Sequence, residues 1–278
     1  MKIKAVLMDM DGTLCGRSQV AVSVANMTAV QRAIEKGVHV IPCTGRVFNM
    51  LPPQLLTQQG LRYFVTSHGA RAYDKELNIS LYENLISPEN SAKLLKILEG
   101  KGLYNEIAAN STIYFEKAVS DGFNTSVKAV PEHHLWYVRD NCYTAVESPS
   151  AHFAANGIGI EKINLYSIPE ELQQSIYDEV NATGFIKHTR PGAGASLEFQ
   201  TTTLNKLLAV EAILGKIGVS YEETMAIGDS SSDFEILQNC GLGVAMGNAP
   251  DNIKAAADVV TDLNIKDGLA QAFEKYVL

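Results

Sequence analysis

The chain has 278 residues, 46% of them apolar and 19% charged, with a formal net charge of −8. That much apolar material builds one large core or two smaller ones. The acidic balance argues against a nucleic-acid partner, whose phosphate backbone attracts basic surfaces, and no apolar run approaches the roughly 20 residues that span a bilayer.

Taken in chain order, residues 3–8 are a short apolar run that ends in Asp9-Met10-Asp11-Gly12-Thr13, a buried strand entering a polar loop. Apolar residues at 27, 30, 33 and 34 have helical spacing and stop at Gly37. Residues 39–43 read as a second strand, ending in Thr44-Gly45-Arg46. A helix over 48–59 ends at Gly60, and a third strand over 63–66 ends in Ser67-His68-Gly69. This alternation predicts right-handed crossovers in a parallel sheet, an α/β doubly wound fold.

Residues 85–190 read differently. Strands are expected over 107–115 and 162–168 and helices over 89–100 and 170–183, an α+β insertion entered near Pro88 and left near Pro191. Within it, the only tryptophan, Trp136, lies close to His133, His134 and Arg139, as a pocket lining or as a packing cluster. The α/β pattern then resumes with a strand over 196–199 and a helix over 204–217. Next come a strand over 224–227 that ends in Gly228-Asp229, a helix over 234–239 and a strand over 243–245. A helix over 252–257, a strand over 259–261 and a helix over 267–276 finish the chain. The expected division is a core of 1–85 and 190–278 and an inserted domain of 86–189.

Four cysteines, none at C-x-x-C spacing, point to reduced thiols rather than a zinc site or a redox dithiol. The opening apolar run is too short for a secretory segment, so a cytoplasmic location is expected. The glycine pairs at 192/194 and 241/243 complete no dinucleotide-binding fingerprint.

In an open α/β sheet, ligands sit at the C-terminal ends of the strands. There this chain places Asp9 and Asp11, Thr44, Lys206 just past the 196–199 strand, and Asp229 with Asp233. Taken singly, Asp229 can be a helix N-cap and Asp233 a first-turn charge. Taken together, three or four carboxylates at one point call for a hard cation, and Mg²⁺ suits oxygen ligands. A carboxylate beside such a cation can attack phosphorus, and a second can protonate the departing oxygen and then deprotonate water.

Asp9-Met-Asp-Gly-Thr-Leu, Thr44-Gly-Arg, Lys206 and Gly228-Asp229-Ser-Ser-Ser-Asp233, in that order, resemble the four motifs of the haloacid dehalogenase superfamily. The insertion after the third strand and the Val244-Ala-Met-Gly-Asn-Ala stretch resemble its Cof-type phosphatases. The resemblance implies a Rossmann-like core with a large α/β cap over the crevice. It makes Asp9 the nucleophile and a Mg²⁺ ligand, and Asp11 the general acid/base whose carbonyl also meets the metal. Thr44, with Gly45 and Arg46, would hold the phosphoryl group, and Lys206 would neutralise it. Asp229 and Asp233 would complete the metal site, with Ser232 on the phosphate side; Asn248, grouped with it, holds a loop near the metal or is an ordinary turn asparagine. Two positions depart from the family pattern: Ser232 stands where an asparagine is usual, and His68-Gly69 where an Asn-Gly pair is usual. The implied function is Mg²⁺-dependent hydrolysis of small phosphorylated metabolites such as sugar phosphates, through an aspartyl phosphate. A phosphomutase and a weakly catalytic phosphometabolite-binding regulator are the alternatives. The oligomeric state is open.

Overall fold

The computed structural model describes residues 2–16, 21–122, 140, 142–189 and 196–278. It divides into two compact units. The first comprises Met1–Arg46, Leu51–Glu83 and Asn205–Leu278; the second comprises Val47–Met50 and Asn84–Leu204. The cluster expected around Trp136 lies outside the described residues.

Unit 1 begins with β1 (Ala5–Met8), α1 (Val24–Glu35), β2 (His39–Pro42), α2 (Pro53–Thr57), β3 (Tyr63–Thr66), β4 (Arg71–Asp74) and β5 (Ile79–Glu83). The inserted second unit follows with α3 (Pro88–Leu98), β6 (Tyr104–Ala109), β7 (Thr112–Glu116), α4 (Lys117–Ser120), β8 (Thr144–Val146) and α5 (Pro149–Asn156). It continues with β9 (Lys162–Tyr166), α6 (Glu170–Asn181), β10 (Ile186–Thr189) and β11 (Leu197–Thr201). Unit 1 resumes with α7 (Lys206–Ile217), β12 (Thr224–Gly228), α8 (Phe234–Asn239), β13 (Leu242–Ala245), α9 (Asp251–Ala256), β14 (Val259–Val260) and α10 (Gly268–Tyr276).

The unit 1 sheet is parallel, in the order β14-β13-β12-β1-β2. It extends to β3 through a parallel bridge between Cys43 and Val65, while β3, β4 and β5 form an antiparallel meander. From β1 the chain steps outward to β2; from β12 it steps the opposite way to β13 and β14. Right-handed crossovers therefore put the two sets of helices on opposite faces, and the strand order reverses between β1 and β12. Strands covered on both faces are apolar without alternation, as AVLM in β1 and TMAI in β12 are. On one face Ala5, Leu7, Ile41 and Ala226 pack against Val210 and Ile213 of α7.

Unit 2 is a six-stranded sheet, β10-β11-β9-β6-β7-β8, antiparallel except at β7–β8. One face packs Ile163, Leu165 and Phe199 against Leu94 of α3, Phe153 of α5 and Ile176 of α6. Polar residues of these strands pair among themselves: Lys162 Nζ lies 2.7 Å from Glu198 Oε2, and Asn164 Nδ2 donates to Glu106 Oε2 at 3.1 Å.

Four expectations change. The strand over 196–199 is not part of the parallel sheet: β11 pairs antiparallel with β9 and β10, so the second unit runs to Leu204 rather than 189. Its sequence, LEFQT, alternates apolar and polar, the pattern of an antiparallel strand with unlike faces. The single strand expected over 107–115 is a hairpin, because Asn110 and Ser111 take positive φ (50° and 63°) and turn the chain. The helix over 48–59 is a 3₁₀ turn, Phe48–Met50, and the short α2, interrupted by Pro52 and Pro53. The meander of β4 and β5 was not foreseen.

Asn26 of α1, fully buried, ties the loop after β1 to the C-terminal helix. Its Nδ2 donates to Leu14 C=O at 3.0 Å, and its Oδ1 accepts the Ala270 N–H at 3.0 Å. Asn26→Ala leaves both backbone groups unpaired away from water. At about 1–3 kcal/mol for each orphaned group, urea unfolding should show a loss on the order of 2–4 kcal/mol.

Candidate active site

All residues expected at the site lie in unit 1. Strand β1 stops where its backbone ladder hands over to loops: Asp9 N–H donates to Ile227 C=O at 2.9 Å, and Cys43 N–H to Met8 C=O at 2.8 Å. Met8 is in register with Ile227, so Asp9 emerges beside Gly228-Asp229 at the point of strand-order reversal. Asp9 is only 6% exposed. Oxygens of Asp9, Asp229 and Asp233 lie within 4.8 Å of one another.

Such a cluster is electrostatically expensive, and the protonation equilibria record it. Burial, then the Asp233 charge, pushes the Asp9 carboxyl well above the ordinary 3.8; Asp229 and Asp11 add to this and Lys206 opposes it. Burial and the Asp233 charge push Asp229 up to about 6, against a hydrogen bond from Thr13. The compensating cation is Lys206, 7% exposed, at the start of α7, whose N-terminus is capped by the Asn205 side chain. Its Nζ donates to Asp233 Oδ1 at 2.7 Å. Burial works against the Lys206 ammonium, but the Asp233 and Asp9 charges outweigh it and drive its pKa up.

Asp233 is fully buried and uses both oxygens. While Oδ1 meets Lys206, Oδ2 accepts the N–H groups of Asp229 and Ser230 at 3.2 and 3.1 Å and the Ser230 hydroxyl at 3.0 Å. It thus shapes the loop that presents Asp229. Asp229 is held from the other side by Thr13 Oγ1 at 3.2 Å and Asn248 Nδ2 at 3.1 Å. Gly12, at φ +86°, lies so close that a Cβ there would fall 2.2 Å from Asp229 Oδ2, so the loop must be glycine at this point.

Asp11 stands apart from the three clustered carboxylates. Arg46 clamps it with two bonds, Nε to Oδ2 at 2.9 Å and Nη2 to Oδ1 at 2.5 Å, and the guanidinium is almost wholly buried. Thr44 is buried as well; its hydroxyl accepts the Arg46 N–H at 3.1 Å, which leaves its own proton to donate.

Three of the expected ligand-side residues have partners within the protein. Arg46 has its guanidinium on Asp11, a bidentate carboxylate within reach of its fork. Asn248 spends its amide hydrogens on Asp229 and on Gly12 C=O (2.8 Å), and its Oδ1 accepts the Asn264 N–H, so it holds the loop. The Ser232 hydroxyl sits 2.8 Å from the Ser230 hydroxyl, too short a side chain to leave its own loop. Thr13 and Ser230 were missed as supports; the signal for Thr13 was its place directly after Asp11-Gly12.

What can this arrangement do? Burial pushes the Cys15 and Cys43 thiols up to about 12, so they stay protonated at neutral pH and do not compete as nucleophiles. The donors that remain are hard oxygens with one ammonium beside them. The donor set of Asp9, Asp229 and Asp233 fits a divalent cation of the Mg²⁺ type.

A family model described as haloacid dehalogenase-like hydrolase matches residues 6–273. Among curated relatives, the Bacillus subtilis 5-amino-6-(5-phospho-D-ribitylamino)uracil phosphatase YcsE is 26% identical over 276 residues, covering 99% of this chain and 96% of its own. The B. subtilis phosphatase YwpJ is 28% identical over 289 residues, covering 96% and 98%. A solved haloacid dehalogenase-like hydrolase from Bacteroides thetaiotaomicron superposes with a TM-score of 0.79 at 25% identity, covering 99% of both chains. Among the described residues no helix is long and apolar enough to cross a membrane. With the motif residues gathered at the strand-order reversal and the family model running almost end to end, the chain belongs to the haloacid dehalogenase-like hydrolases, as a Cof-type phosphatase of that superfamily.

Proposed function

We infer that this protein hydrolyses phosphomonoesters of small metabolites in two steps, through an aspartyl phosphate on Asp9. The observation that carries this reading is the meeting of Asp9, Asp229 and Asp233 within 4.8 Å, with the Lys206 ammonium bonded to Asp233 at 2.7 Å. Phosphoryl transfer is mostly positioning plus charge stabilisation, and this site concentrates both.

In the first step an Asp9 oxygen attacks phosphorus, the bond from phosphorus to the ester oxygen breaks, and the departing oxygen takes a proton from Asp11. In the second, Asp11 takes a proton from water as the water oxygen attacks the same phosphorus. The bond from phosphorus to Asp9 breaks, returning a carboxylate and releasing orthophosphate. Arg46 fixes Asp11 throughout with its two bonds. Lys206 supplies positive charge beside the nucleophile, and the Thr44 hydroxyl and Gly45 N–H donate to phosphoryl oxygens. Asp9 and Asp229, with Asp233 behind them, would hold Mg²⁺, which when bound offsets the carboxylate charge and that of the phosphoryl group.

For the substrate, the similarity to a phosphatase named for a phosphorylated ribityl compound supports a small hydroxylated phosphomonoester. The four motifs with their cationic partners support catalysis over a purely regulatory role, and a cytoplasmic setting suits reduced thiols.

Three outcomes test this reading. Asp9→Asn should abolish orthophosphate release from a sugar-phosphate panel and leave no acid-stable label on the protein. Activity near wild type would refute the nucleophile assignment. The raised Asp229 pKa also sets a stability pattern. A carboxyl whose folded pKa exceeds its ordinary value contributes stability that is full below about pH 4 and is lost as pH rises through about 6. In EDTA, Asp229→Asn should therefore melt progressively higher than wild type as pH is raised from about 4 to about 7. Added Mg²⁺ should raise the wild-type melting temperature at pH 7 and leave that of Asp229→Asn nearly unmoved.

A further inference from the structure

The turn that follows β3 contributes no group to the chemistry above, yet its backbone is under more constraint than its length suggests. Ser67, His68 and Gly69 all have φ in the left-handed region, at 50°, 57° and 98°. Two of the three are not glycine, and such a conformation persists only where the surroundings impose it. Here the surroundings are the phosphoryl-binding loop and the base of Lys206. Ser67 N–H donates to Arg46 C=O at 2.9 Å and His68 N–H to Thr44 C=O at 3.0 Å; Thr44 N–H in turn donates to Val65 C=O at 2.8 Å. Gly69 lies directly against the start of α7, where a Cβ would fall 2.6 Å from Lys206 Cα.

Held in this way, the His68 ring lies over Gly45. A Cβ at Gly45 would meet His68 Cε1 at 2.3 Å and Nε2 at 2.4 Å, so the imidazole fills the space that any other residue at 45 needs. Among the described residues, none accepts the Gly45 N–H. The loop thus offers a backbone donor next to the Thr44 hydroxyl, backed on one side by an aromatic ring.

We propose that His68 is a positioning residue for the phosphoryl group: its ring backs Gly45 and its N–H ties Thr44, so that the two donors of the loop stay aimed at one tetrahedral anion. The proposal rests on the reading that Thr44 and Gly45 bind the phosphoryl oxygens. It assigns His68 no proton transfer. The ligand class is the phosphate dianion itself, so the effect should be the same whichever alcohol the ester carries.

The test is a double-mutant cycle on the Mg²⁺-supplemented full chain, with orthophosphate as the probe. It reads the inhibition constant of orthophosphate, the KM and kcat for p-nitrophenyl phosphate, and the Mg²⁺ activation constant. His68→Gly removes the ring and suits the left-handed backbone. It should weaken orthophosphate inhibition and raise KM about tenfold, a change of about 1.4 kcal/mol in binding, with kcat and the Mg²⁺ constant nearly unchanged. His68→Asn, whose side chain also tolerates this backbone, should fall between the two. Gly45→Ala should cost at least as much as His68→Gly in the wild-type background and markedly less in the His68→Gly background, because the added methyl then has room. If His68→Gly fails to fold, the same cycle is run with His68→Asn. Equal Gly45→Ala costs in both backgrounds, or an unchanged inhibition constant in the His68 variants, overturns the positioning role. If Gly45→Ala leaves orthophosphate inhibition unchanged in every background, the fault lies instead with the phosphoryl-binding assignment of the loop.

Discussion

Three carboxylates whose oxygens lie within 4.8 Å of one another repel, and burial makes that repulsion worse. Among the described residues, the ammonium of Lys206, bonded to Asp233 at 2.7 Å, is the buried cation beside them. Neither partner is tolerable alone: removing one member of a buried pair typically costs on the order of 3–5 kcal/mol, because the other is left charged and unsolvated. Under the proposed function, the remaining surplus of negative charge would make the site receptive to a divalent cation and, through it, to a phosphate. The same excess raises the Asp9 and Asp229 carboxyls above their ordinary range. If the cluster binds such a cation, stability and ligand binding pull against each other at this point of the sheet.

Around that pair, the loops spend their hydrogen bonds on aiming oxygens. Asp233 turns back onto the N–H groups of Asp229 and Ser230, Thr13 and Asn248 hold Asp229, and Arg46 grips Asp11 with two bonds. The fully buried Asp233 is satisfied by these bonds, so at that residue the energetic requirement and the geometric one coincide. Carboxylates fixed in this way need little rearrangement when a ligand arrives, which is the economy of a preorganised site. The strained turn at Ser67–Gly69 belongs to the same logic, with backbone conformation in place of side-chain bonds.

Much of unit 1 was legible because its strands are buried on both faces. A run such as AVLM followed by Asp-x-Asp has few other physical solutions, and the right-handed crossover then fixes which strands are neighbours. Where the pattern was weaker, the reading slipped. Residues 196–199 read as a core strand because the run is short and sits before Lys206, although the LEFQT of β11 alternates as an antiparallel strand does. The turn at Asn110-Ser111 was passed over because neither residue is glycine, and only the backbone shows both at positive φ. The protein partners of Arg46 and Asn248 are not visible in sequence, where the chemistry of a side chain shows but its neighbour does not.

The sequence by itself determined the α/β order and the acidic character of the strand ends, because apolar periodicity and the sterics of chain connection act locally. Only the tertiary structure decided that Arg46 serves Asp11, that Asn248 and Ser230 serve Asp229 and Asp233, and that the His68 ring rests on Gly45. Those pairings depend on distances of a few ångströms between segments far apart in the chain, set by packing that no local pattern encodes.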